Sequence, residues 1–148
     1  MTPKTRILVL CTGNSCRSQM AEGFFRHYAE DSILVESAGS MPGKVNEIAI
    51  AVMREVGIDI SGHRSKHLDE FKDIFFDFVI TVCDNAKEQC PVYLKSARKL
   101  HWGFPDPPHG RVVTDEVMRE FRKVRDSIQR KIKEELAAGT LGRVLSVG

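Results

Sequence analysis

Arg6–Ser18 reads RILVLCTGNSCRS. Its first half, Ile7–Leu10, is a short branched apolar run, the composition of a strand buried on both faces. Its second half is polar, carries Gly13, and leads into 19–29, where Met20, Phe24, Phe25 and Tyr28 recur at helical spacing. Ser18 is placed to cap the start of that helix. A strand that feeds a helix through a short polar loop is the first half of a βαβ unit.

Working outward, Ile33–Ser37 (ILVES) reads as a second strand. Asn46–Gly57 reads as a second helix, with Ile48, Val52 and Val56 four residues apart, Asn46 as its cap and Gly57 as its stop. Asp77–Cys83 (DFVITVC) is a third strand and Ala97–Phe104 (ARKLHWGF) a weaker fourth. Thr114–Ala138 is one long amphipathic helix with the stripe Val117, Phe121, Val124, Ile128, Ile132 and Leu136. This alternation predicts an α/β fold over residues 1–148: a single three-layer domain, a four-stranded parallel sheet flanked by helices. Ligands in such folds sit at the carboxyl ends of the strands. Cys11 follows the first strand and Cys83 the third, so the topology draws two thiols towards one face.

Composition limits the function. The chain has 148 residues, 22 Lys+Arg against 20 Asp+Glu, and a formal net charge of +2. A balance so near neutral argues against a dedicated nucleic-acid or membrane-surface binder. The charged face of the last helix interleaves both signs, as a solvated face does. No apolar run approaches a membrane span, and 1–14 carries no secretory core, so the expected location is the cytoplasm. Thiols are kept reduced there, so Cys11, Cys16, Cys83 and Cys90 are not expected to form a disulfide frame. Their gaps are not those of ordinary zinc knuckles, and no metal or cofactor site is expected.

The loop Cys11, Thr12, Gly13, Asn14, Ser15, Cys16, Arg17, Ser18 has the parts of an oxyanion site. Backbone N–H groups ahead of a helix N-terminus form an anion cradle. Arg17 can grip two oxygens at once. Cys11 at that positive end is expected to have a lowered pKa and to act as a nucleophile. Asp106 lies in Phe-Pro-Asp-Pro-Pro, where flanking prolines either hold a carboxylate over a site or simply mark a surface turn.

CTGNSCRSQMAEG (11–23) resembles the phosphate loop of the low-molecular-weight protein tyrosine phosphatases, and more closely that of the thioredoxin-coupled arsenate reductases built on the same fold. VESAG (35–39), GIDISGHRS (57–65), ITVCDNAKEQCP (80–91) and HWGFPDP (101–107) follow in the expected order. A phosphatase has no use for Cys83 and Cys90, whereas arsenate reduction needs two electrons that a thiol pair can supply. The resemblance implies that Cys11 attacks arsenate with Arg17 and the loop amides on its oxygens. Cys83 then attacks Cys11, Cys90 attacks Cys83, and thioredoxin reduces the Cys83–Cys90 disulfide. It implies that Asp106 is the general acid. Phosphate or sulfate would compete with arsenate. Phosphatases of this fold usually place aromatic residues after the Asp-Pro; Pro108 and His109 stand there instead. The alternative reading remains a phosphatase acting through a phosphocysteine.

The same resemblance makes Asn14, Glu22, Ser37 and His63 supporting residues beneath the loop, and Ser18 a donor to the Cys11 thiolate. Some of the reductases hold potassium there. Lys66 stands where those members carry an acid, so an ammonium is expected in place of the cation. Cys16 has no step in the relay and is read as packing or loop structure. A monomer is expected.

Overall fold

The computed structural model describes residues 4–29, 31–83, 97–108 and 113–141. Its strands are β1 (Thr5–Leu10), β2 (Ile33–Ala38), β3 (Phe78–Thr81) and β4 (Arg98–His101). Its helices are α1 (Arg17–Ala29), α2 (Glu47–Glu55) and α3 (Asp115–Ala138), with a short 3-10 helix at Leu68–Phe71 that the sequence pattern does not show. The strands form one parallel sheet in the order β2-β1-β3-β4. The expected α/β architecture with a four-stranded parallel sheet is what the chain adopts.

Ile7, Leu8 and Val9 are each fully buried, although consecutive strand residues point to opposite faces. Both faces of β1 are therefore covered. α1 lies on β1 and β2 and packs against α2 and α3. The stripe of α3 behaves as its spacing predicts: Phe121, Val124, Ile128 and Ile132 are buried. Thr114 caps α3, its side chain accepting from Val117 N at 3.1 Å, and Gly139 ends it at φ 73°. Asn46 caps α2 by accepting from Ile48 N and Ala49 N at 2.8 and 3.1 Å.

Ser18 departs from expectation. α1 begins at Arg17, so Ser18 lies inside its first turn rather than at its cap. The loop takes that capping place with its own backbone, because Cys16 O already accepts from Met20 N at 2.9 Å.

The chain leaves β1 for β2 on one side and returns to β3 on the other. The crevice of such a switch lies beyond the carboxyl ends of β1 and β3. Cys11 and Cys83 stand there. The floor of the crevice is tight. Cys11 N donates to Ala38 O at 3.1 Å, and Gly39 N donates to Lys66 O at 2.9 Å. A Cβ on Gly39 would lie 2.3 Å from Thr12 O and 2.5 Å from Cys11 O. Both neighbours are backbone and cannot swing aside. Gly39→Ala is therefore expected to lower stability by about 1–3 kcal/mol in chemical denaturation, whereas alanine at Gly62, which has open space around its Cβ position, is expected to change little.

Candidate active site

The loop between β1 and α1 is held from outside by its carbonyls. Thr12 O accepts from Met41 N at 2.9 Å, Gly13 O from Gly43 N at 3.0 Å, and Ser15 O from Asn46 N at 2.8 Å. Asn14 O accepts from Ser65 Oγ at 2.6 Å and Gln19 Nε2 at 3.2 Å. With Cys16 O bonded to Met20 N, every carbonyl from 12 to 16 is engaged by the scaffold. In a trans peptide the next N–H points opposite to the C=O. The amides of 13–17 are thereby turned to the inside of the loop, which makes it an anion-binding nest.

Asn14 is the pivot. It is fully buried and has φ 48°, a left-handed conformation that asparagine tolerates better than most residues. Its Oδ1 accepts from Lys66 N at 2.8 Å and Gln19 Nε2 at 3.0 Å, and its Nδ2 donates to Ser18 Oγ at 2.9 Å. Ser18 Oγ thus accepts from Asn14 within the first turn of α1.

Cys11, Cys16 and Cys83 are all free thiols and all buried. Cys83 stands beside Cys11 closely enough to act on its titration, and Thr12 Oγ1 lies 3.6 Å from Cys83 Sγ. The contact reverses the expected pKa of Cys11. The Cys83 hydrogen bond, and after it burial, push the Cys11 thiol up; Arg17 and the Gly13 N–H pull it down without prevailing. The expectation of a lowered value considered only the helix end and the arginine. It omitted a second thiol beside the first. Burial pushes the Cys16 thiol up to about 12, which disfavours its thiolate.

Arg17 lies across the mouth. Its Nη1 donates to Phe104 O at 3.0 Å and its Nη2 lies 3.2 Å from Asp106 Oδ1. Its Nε is buried and has no partner among the described residues. The prolines beside Asp106 thus do more than turn the chain: the segment after β4 brings the carboxylate to the arginine of the loop. Cys90 lies outside the described residues, as does His109.

Beneath the loop, Glu22 Oε1 accepts from Ser37 Oγ at 2.6 Å and from Lys66 Nζ at 3.3 Å, while its Oε2 accepts from Arg26 Nε at 2.9 Å. Lys66 Nζ also lies 3.4 Å from Glu36. The ammonium therefore sits among the acids. Burial pushes Glu22 up, but Ser37, Lys66, His63 and Arg26 outweigh it and leave the carboxyl below its ordinary value. His63 is pushed below its ordinary value chiefly by burial, against the pull of Glu22. Gln19 was not singled out by sequence, yet it joins this layer to the loop. Its Nε2 donates to Asn14 and to Arg64 O at 2.9 Å, so its Oε1 faces His63 Nδ1 at 3.0 Å and that nitrogen carries the proton. Its only signal in the sequence is a polar side chain on a helix face otherwise given to packing. Among the described residues no group of three or more His, Cys, Asp or Glu is placed to hold a metal ion.

A nucleophilic cysteine in a nest of amides, under an arginine paired to a carboxylate, is the constellation of cysteine-based phosphoryl-transfer enzymes. The chain belongs to the low molecular weight phosphotyrosine protein phosphatase family, whose pattern it matches over residues 6–143. It is 44% identical to an arsenate reductase of Shouchella clausii over 138 residues, covering 92% of this chain and 98% of that protein. It superimposes with a TM-score of 0.76 on a solved arsenate reductase in the phosphate-binding state, at 33% identity, covering 90% of this chain and 98% of that one. A thioredoxin-dependent arsenate reductase of Corynebacterium glutamicum aligns with a TM-score of 0.67 at 27% identity, covering 93% of this chain and 64% of that one.

The buried acid yields a pH prediction. Glu22 binds its proton less readily folded than unfolded. Its contribution to stability is complete above the ordinary carboxylate value of 4.5 and is lost as pH falls through the lower folded value. Glu22→Gln is expected to cost roughly 3 kcal/mol near neutrality, because Lys66 loses a buried partner. It should also flatten the acid limb of a plot of denaturant midpoint against pH.

Proposed function

We propose that this chain reduces arsenate to arsenite through a thiol–arsenate adduct and a three-cysteine relay, with thioredoxin as the reductant. The observation that carries the reading is the position of Cys83, which the pairing of β3 with β1 sets beside Cys11 at the carboxyl ends of the two strands. An oxyanion nest with one cysteine serves hydrolysis. A second thiol beside the first supplies the electrons that reduction needs.

Arsenate enters the nest with its oxygens on the amides of 13–17 and on Arg17. The Cys11 thiol passes its proton to the Asp106 carboxylate and its sulfur attacks arsenic. An arsenic–oxygen bond breaks, and Asp106 hands that proton to the departing hydroxyl, which leaves as water. Cys83 then passes its proton to an oxygen of the adduct and attacks the Cys11 sulfur. The sulfur–arsenic bond breaks and its electron pair stays on arsenic, so As(V) becomes As(III) and leaves as arsenite. A Cys11–Cys83 disulfide remains. Cys90 attacks Cys83, which restores the Cys11 thiol and leaves a Cys83–Cys90 disulfide for thioredoxin's dithiol to reduce. Thr12, 3.6 Å from Cys83 Sγ, is placed to orient the attacking thiol.

Ser18, Asn14, Gln19 and the Glu22–Lys66 layer hold the nest rather than touch the anion. The same nest, nucleophile and acid also suit a phosphate monoester, which supports a side phosphatase activity. Among the described residues no helix is long and apolar enough to cross a membrane.

The test is arsenate-dependent NADPH oxidation in the presence of thioredoxin and its reductase. Cys11→Ser, Cys83→Ser and Cys90→Ser are each expected to abolish turnover. Cys90→Ser should complete one round and accumulate the Cys11–Cys83 disulfide, visible as a loss of two thiols by mass spectrometry after alkylation. Hydrolysis of a small aryl phosphate should need Cys11 and survive Cys83→Ser. Arsenate turnover by Cys83→Ser at the wild-type rate would overturn the relay.

A further inference from the structure

We infer that Asp106, beyond protonating a leaving oxygen, selects which oxyanions the loop accepts: it favours those that carry a proton, such as hydrogen arsenate and hydrogen phosphate, over sulfate, which at neutral pH has none. This deepens the oxyanion reading of the site and rests on it.

The arrangement of Arg17 carries the inference. Its guanidinium is committed on one side to protein acceptors, Nη1 to Phe104 O at 3.0 Å and Nη2 to Asp106 Oδ1 at 3.2 Å. Its Nε is buried without a partner among the described residues. Nε and Nη2 present their N–H groups along one edge of the planar group, and this edge is the fork that takes two oxygens of a tetrahedral anion. An anion seated on the Nε–Nη2 edge therefore has the Asp106 carboxylate as its neighbour, on the same nitrogen.

A carboxylate beside a bound oxyanion is a discriminating contact. An unprotonated oxygen facing it sets acceptor against acceptor and negative charge against negative charge. A hydroxyl facing it donates a hydrogen bond, and the carboxylate can accept that bond while still paired with Arg17, because each carboxylate oxygen has two lone pairs. The other inward groups do not discriminate. The amides of 13–17 and Arg17 Nε are all donors, and they serve sulfate as well as phosphate. Asp106 is the acceptor held at this edge and it bears charge, whereas Phe104 O is neutral and is taken up by Nη1. The burial of Arg17 and the exposure of Asp106, whose side chains are 12% and 54% exposed, limit the effect. A fully enclosed hydrogen-bonding site rejects an analogue lacking the proton by many orders of magnitude; a half-exposed carboxylate should give about tenfold.

The experiment is equilibrium binding at pH 7.5 of sodium sulfate and sodium phosphate to the reduced full-length protein. It is read by isothermal titration calorimetry at constant ionic strength, with wild type beside Asp106→Asn. Wild type is expected to bind phosphate about tenfold tighter than sulfate. In Asp106→Asn the preference should fall at least threefold, mainly through tighter sulfate, since an amide can donate to an unprotonated oxygen and adds no charge. Asp106→Glu should retain part of the preference, which separates a charge effect from disruption of the loop. A wild-type protein that binds sulfate as tightly as phosphate, or an Asp106→Asn protein with the wild-type ratio, overturns the inference and leaves the oxyanion site standing. Failure of wild type to bind either anion overturns the oxyanion reading itself.

Discussion

The site depends on the direction of a run of peptide groups. Each carbonyl from Thr12 to Cys16 is taken up outside the loop, by Met41, Gly43, Gln19 with Ser65, Asn46 and Met20. Peptide planarity then leaves the amides no choice but to face inward. No single side chain makes the nest. It is the back side of a set of hydrogen bonds that the scaffold makes for its own satisfaction, since buried carbonyls left unpaired would cost free energy. This is why a chain with a net charge of only +2 can bind a doubly charged anion. The positive potential comes from aligned dipoles and one arginine, not from an excess of basic residues.

That arrangement requires Asn14 to hold a left-handed turn, and the layer beneath is built to keep it there. Lys66 serves twice. Its backbone N–H bonds the Asn14 side chain at 2.8 Å, and its ammonium sits between Glu22 and Glu36. Two carboxylates face Lys66 and Arg26, and burial keeps His63 towards its neutral form, so the layer balances its own charge. A buried acid that lacked such partners would rise in pKa and take up a proton; Glu22 goes the other way. The cation that the resemblance associates with this place in other members is met here by a covalently attached ammonium.

How much of this was legible in the sequence follows the range of the interactions. The ends of α3 were readable because Thr114 and Gly139 act within a turn of themselves. The loop and its cysteine and arginine were readable because a strand, a polar turn and a helix are contiguous. Gln19, Gly39 and Phe104 O were not, because what they contact lies far off in the chain. Gln19 meets Arg64, Gly39 meets the backbone of 11–12, and Phe104 O meets Arg17 across 87 positions. The misplaced cap at Ser18 came from counting the helix from its apolar residues, when the loop's own hydrogen bond had already started it. The Cys11 pKa shows the same limit in energetic form. Local groups alone lower it, and the group that raises it arrives on another strand.

Strand order explains why that group arrives. Because β3 lies directly beside β1, the residues just past their ends are neighbours: Leu10 pairs with Thr81, and Val82 N donates to Leu10 O at 3.0 Å. Cys83 therefore meets Cys11 without any special loop to carry it. Cys83, two residues past the end of β3, is what brings a second sulfur to the first. The contact also has a consequence for the resting enzyme. A thiol whose pKa is held up by its neighbour and by burial is less readily a thiolate than an isolated one. The proton must then leave as the oxyanion enters. Negative charge brought beside Cys11 by an oxyanion opposes loss of the thiol proton, and the positive edge of Arg17 in the same small volume offsets that effect.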